Sequence, residues 1–260
     1  MSYHHMCKCL DGKQRLEYWK VGGRRLYLAS SYSSSGGNVM YVLVFLAFAL
    51  AAASAECQNG RVIMSGHLNC TQKQFIVDTH NEMRQKVASG KVPTQPEAAD
   101  MVELRWSEVL ANKAQQWADG CVFIHDPDLM LGGQHIGQNL AQESSSRDVL
   151  SVPDLFGMMN SWFTEVYKFG YNGTFTFDSG HYSQVIWGST KYVGCGIIYY
   201  FKANDYYSYF VCDYLPPGNW IGLKPYVYGP KACETHHLIN SKKYPFLCAI
   251  DDEVVKVPCP

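Results

Sequence analysis

The segment Ser179–Gly188, SGHYSQVIWG, sets His181 beside Tyr182 in an apolar stretch that ends at Trp187. An imidazole in such a place serves a metal, a carboxylate or a packed core. Glu165, in WFTEVYKF, is the acid that draws notice. It lies within or beside two helical stripes that share Trp162: Leu155, Met159, Trp162, Val166 and Met158, Trp162, Glu165, Phe169. A carboxylate there is costly unless something pairs with it. His80 and Arg84 share one helix face at i, i+4, and a structural role is the preferred reading. Ser183 follows His181 by two positions, but no Asp–His–Ser order accompanies it. It reads as a hydrogen bonder at a helix start rather than a nucleophile. His236-His237 reads as a solvated loop pair.

These residues need elements to hold them. Thr71-Gln72-Lys73-Gln74 is a T-x-x-Q capping box, and Ile76, His80, Met83 and Val87 follow on one helical face until Gly90. Ser107 predicts the start of a second helix with Leu110, Ala114, Trp117 and Ala118 on one stripe. A short strand is expected around Ile136–Ala141. Ser151-Val152-Pro153-Asp154 opens a third helix, with proline in its first turn. From Tyr192 the pattern turns to strands, YVGCGIIYYFK and DYYSYFVCDY. Setting Cys195 opposite Cys212 also sets Lys202 opposite Asp205 and leaves the two-residue turn Ala203-Asn204. Directly opposed residues lie within disulfide reach, so Cys195–Cys212 is predicted. The aromatics of this hairpin are expected to alternate between core and surface.

The ends read differently. Residues 40–55 form an apolar run closed by Ala53-Ser54-Ala55, the pattern of a signal peptide cut after Ala55. Residues 1–39 show no clear period and read as an over-extended start. The remainder divides into an N-terminal segment 56–70, a domain 71–222 and a Cys-containing extension 223–260. Of ten cysteines, eight follow the leader: 57, 70, 121, 195, 212, 233, 248 and 259. An even set behind a secretory signal implies disulfides and an extracellular location. Asn69 and Asn172 head glycosylation sequons. The absence of a basic run argues against nucleic acid, and the short apolar run against stable membrane insertion.

Five ordered segments, HNEMR, GQNLA, WFTEVYKF, GHYSQVIWGST and YFVCDYLPPGNW, resemble the CAP superfamily of cysteine-rich secretory, antigen 5 and pathogenesis-related 1 proteins. GQNLA in particular is similar to arthropod antigen 5 proteins. The resemblance implies an α+β fold, a three-layer α-β-α sandwich with a short disulfide-rich C-terminal tail. It also implies a cavity tetrad of His125, Gln138, Glu165 and His181. Gln138 stands where the family has a glutamate, so the cavity is expected to hold one carboxylate instead of two. Asp213 stands where the family usually has a neutral or basic residue. By the same resemblance Cys121 is expected to join an N-terminal cysteine, Cys70 first, with the remaining pairings open.

Glutamine cannot ionise, which argues against catalysis by a carboxylate pair. His125 and His181 could hold zinc, but two nitrogens are fewer than usual zinc sites provide. No cofactor is required, and any zinc would be weakly bound. The leading expectation is a secreted, non-catalytic binding protein for a lipid or small hydrophobic ligand, or for a host or prey protein target. A groove between the first and third helices is one place for such a ligand, and packing of their apolar stripes on the sheet is an equally good reading of the same residues. The alternatives are a zinc-assisted hydrolase and an immune-interaction protein with a vestigial cavity.

Overall fold

The computed structural model describes residues 15–21, 24–30, 57, 60–66, 68–148, 153–170, 173–251, 253 and 256–259. Two units divide at residues 50 and 51. In the first, strands β1 (Arg15–Val21) and β2 (Arg24–Ser30) pair antiparallel. The sequence reading gave this region no element. The pairing sets Val21 opposite Arg24 across Gly22-Gly23, a residue pair suited to tight hairpins. The proposed signal peptide, residues 40–55, lies outside the described residues.

The second unit contains β3 (Arg61–Ser65), α1 (Cys70–Ala88), β4 (Arg105–Trp106), α2 (Glu108–Asp119), β5 (Met130–Leu131), β6 (Gln134–His135) and β7 (Gly137–Ser145). Then follow α3 (Leu155–Thr164), α4 (Val166–Phe169), α5 (Gly180–Val185), β8 (Tyr192–Lys202) and β9 (Asp205–Leu215). In the tail, β10 (Ile239–Asn240) pairs with β11 (Cys248–Ala249). The central sheet runs β3-β8-β9-β7, with β4 parallel to β8. This is the α-β-α sandwich: α2 covers one face, and α1, α3 and α5 cover the other.

The hairpin register is the one that the cysteines and the turn require. Cys195 faces Cys212 and Lys202 faces Asp205. Ala203 and Asn204 both take positive φ, 51° and 70°, as a tight hairpin turn demands. The expected alternation of exposed and buried aromatics does not hold along the strands. Tyr209 and Phe210 are adjacent and both buried, because helices cover both faces. Gly194 and Gly196 let α2 approach closely. A Cβ at Gly194 would sit 2.2 Å from Ala111 N, and one at Gly196 would sit 2.4 Å from Gln115 N.

Two helix starts differ from the sequence reading. α1 begins at Cys70, capped by Asn69, whose side chain accepts from Gln72 N while Gln72 reaches back to Asn69 N. The capping box therefore spans Asn69–Gln72, two residues before the Thr71 pattern, and it uses an equally good cap residue. α3 begins at Leu155 with Asp154 as its cap. The helix expected to continue through Phe169 breaks at Glu165 into α3 and α4.

The apolar stripes of α1 and α3 form core rather than a ligand groove. Ile76, Val87, Met159 and Trp162 are buried together. The expected Cys70–Cys121 bridge is also corrected. Cys121 joins Cys57 on the α2 face, Cys70 joins Cys259, and Cys233 joins Cys248. Cys195 and Cys212 are bonded to each other. The extension packs against the body. Cys248 N donates to Met101 O, Glu103 N to Cys248 O, and Arg105 pairs with Asp251. Asn69 is exposed, whereas Asn172 lies outside the described residues.

Candidate functional site

Glu165 sits at the break between α3 and α4, and its carboxylate reaches α5. Oε2 accepts from the backbone N–H of His181, 3.0 Å, and of Tyr182, 3.1 Å. These are among the first N–H groups of a helix, which lack intrahelical partners. Oε1 meets His181 Nδ1 at 2.7 Å. Glu165 therefore caps α5 from another element and orients the imidazole that α5 carries. The ring of His181 also stacks on Trp162, centroids 6.2 Å apart, and Trp162 stacks on Phe210 at 5.5 Å. Trp162 is fixed in turn by Nε1 donating to Leu140 O. The pair is partly open, with side chains 32% exposed for His181 and 18% for Glu165.

His125 belongs to a second pair. Gln138 Oε1 accepts from Asp126 N at 3.0 Å and meets His125 Nδ1 at 3.1 Å. Gln138 Nε2 donates to Asp213 Oδ1 at 2.9 Å. Gln138 and Asp213 are opposed in the β7–β9 register. Asp213 is fully buried, and its Oδ2 has no hydrogen-bond partner. Burial pushes its carboxyl up to about 7, and nearby Asp126 adds to this; Gln138 and Lys113 oppose the shift. Lys113 pairs with Asp126 at 2.9 Å.

The two pairs meet β7, the edge strand, through adjacent residues. Successive side chains of a strand point to opposite faces. Gln138 serves His125 from one face, and from the other Asn139 Nδ2 donates to His181 O at 3.1 Å. His125 and His181 each use Nδ1 in their pair, which leaves Nε2 outside that pair. Among the described residues no three His, Cys, Asp or Glu side chains gather to hold one ion. The two nitrogens expected to hold zinc, those of His125 and His181, would in any case fall short of the three protein ligands of a usual catalytic site.

The neighbouring polar residues are scaffold. His80 is buried, with Nδ1 donating to Ile76 O and Nε2 accepting from Tyr214 Oη. Arg84 is buried too. It donates to the carbonyls of Val102, Val185, Trp187, Gly188 and Thr190, tying α1 to the end of α5. Burial lowers its guanidinium to about 9, and Asp100 offsets part of this. Ser183 is buried and donates to Asn219 Oδ1 at 2.6 Å, so its hydroxyl is taken. Asn219 Nδ2 returns a bond to Gly180 O. The tail pair His236-His237 takes no part in these networks.

Sequence reasoning missed three participants. Asp213 was singled out as a departure, yet only the register reveals that it faces Gln138. The site thus has a second carboxyl, one strand away from position 138. Asn139 and Asn219 carried no signal of their own, although alternation along β7 places Asn139 opposite to Gln138 in facing.

The pattern of the cysteine-rich secretory protein family matches residues 77–214. A salivary antigen-5 of Dipetalogaster maximus is 39% identical over 221 residues, 79% of this chain and 88% of that protein. Venom allergen 5 of Polistes fuscatus is 39% identical over 183 residues, 66% of this chain and 87% of that protein. Among solved structures, BmVAL-1 superposes with a TM-score of 0.61 at 27% identity, covering 72% of this chain and 97% of that one. NaASP2 with Zn2+ gives 0.57 at 28% identity, covering 68% and 94%. With its sandwich, its four bridges and these relatives together, the chain belongs to the cysteine-rich secretory protein (CAP) family and is of the antigen 5 type.

Proposed function

We propose that this chain is a secreted, non-catalytic binding protein. It takes a lipid or small hydrophobic ligand at the face where Glu165 and His181 open to solvent. The observation that carries this reading is the apolar fringe around α5. Phe177 is 91% exposed, Ile221 88% and Tyr167 89%. Phe177 lies just before α5, Ile221 follows the Asn219 that is bonded to α5, and Tyr167 follows Glu165 by two residues. Large apolar groups left exposed beside such a helix are candidate contact points for a ligand.

The engagement of Glu165 supports the non-catalytic reading. Glu165 already accepts three hydrogen bonds, so it is a poor candidate for a general base. The binding reading does not depend on zinc: among the described residues no three such side chains gather at one ion, and the contacts of His125 and of His181 reach β7 from opposite faces. Secretion is supported by the salivary and venom relatives and the four disulfides. No helix among the described residues is long and apolar enough to cross a membrane.

Native mass spectrometry of protein purified from its own source tests the reading. Extra mass released as lipid on denaturation is expected. Protein that is repeatedly free of lipid and that rejects added acyl chains would overturn it in favour of a protein target.

A further inference from the structure

We infer that Asp213 is a positioning residue for the exposed imidazole of His125. It holds the Gln138 amide in one orientation and so fixes His125 as its Nδ1–H form, with the lone pair on Nε2. The assignment follows from donors that cannot be exchanged. Asp126 N–H is a donor, so the Gln138 atom 3.0 Å from it is the oxygen. That same oxygen must accept from His125 Nδ1. The amide nitrogen is left facing Asp213 Oδ1 at 2.9 Å, on one buried face of the sheet. A carboxyl can accept there whether or not its other oxygen carries a proton, so the orientation does not depend on the ionisation of Asp213. Gln138 and Asp213 are both buried, so leaving that amide nitrogen unpaired would be costly.

The consequence deepens the binding reading and rests on it. In its Nδ1–H form His125 presents Nε2 as an acceptor, so the part of a ligand that meets it is a hydrogen-bond donor such as a hydroxyl.

The test uses the ligand-free full chain, which separates it from the question of whether a ligand binds. Long-range 1H–15N spectra at about pH 8, above the usual imidazole pKa of about 6.5, report the tautomer of each histidine. Wild type should show His125 mainly as Nδ1–H. Asp213→Asn, which keeps an accepting oxygen, should match it. Asp213→Leu should lose that dominance at His125 and speed exchange of the Asp126 amide proton, while His181 stays unchanged. A wild-type His125 that is mainly Nε2–H would overturn the inference, and this result needs no variant to fold. An Asp213→Leu protein with an unaltered His125 tautomer would overturn it as well.

Discussion

His80 and Asp213 give opposite pH signatures, and their signs can be worked out residue by residue. Burial lowers His80 to about 4 from 6.5. Between those values the unfolded chain takes a proton that the folded chain refuses, so acidification through this window favours unfolding. Asp213 is raised to about 7 from 3.8. Between those values the folded chain keeps a proton that the unfolded chain releases. Its contribution is therefore full below about 3.8 and is lost as pH rises to about 7. Asp213→Asn removes only this second effect. Relative to wild type, the variant should gain stability as pH rises from about 4 to 7, by up to about 1.4 kcal/mol per unit. Urea unfolding across that range checks it, and parallel profiles would contradict the assignment. Glu165 makes a separate prediction. Glu165→Ala should cost about 2 kcal/mol, since it removes the cap of α5 and the partner of His181. Glu165→Gln keeps an accepting oxygen and should cost less.

At the scale of elements, the sheet decides how closely helices approach. Gly196 lies under the α2 backbone, so Gly196→Val should cost about 3 kcal/mol and disturb near-UV circular dichroism. A variant as stable as wild type would mean that α2 is not held against β8 as described. The hairpin register was legible because two constraints, a cysteine pair and a two-residue turn, agree on one alignment. The break at Glu165 was not legible. The helical stripes run on through position 165, and the break answers a demand from α5, which is distant in sequence. The groove between α1 and α3 failed for a related reason. Periodicity shows that a stripe is apolar but not what covers it. The Cys57–Cys121 pairing depends on how the N-terminal segment is laid beside α2, which spacing does not encode. Asp213 stood out by type, yet its partner is set by β7–β9 pairing.

For the whole molecule, the bridge between Cys70 and Cys259 ties the end of the tail to the start of α1. Replacing both with serine should cost about 2 kcal/mol and expose the chain beyond Asp251 to proteases, with the sheet intact. Unchanged proteolysis would show that the main-chain contacts of Cys248 and the Arg105–Asp251 pair hold the tail unaided. The functional account makes its main claim at this scale as well: the fringe around α5 receives an apolar ligand. Its most direct test is titration of a fluorescent acyl-chain probe into wild type and the double variant Phe177→Ser, Ile221→Ser. Both side chains are about nine-tenths exposed, so the fold should keep its thermal midpoint. The account predicts saturable binding to wild type and at least about tenfold weaker binding to the variant, the loss of roughly 1.4 kcal/mol. Equal affinity for both proteins, or no saturable binding to wild type, would contradict it.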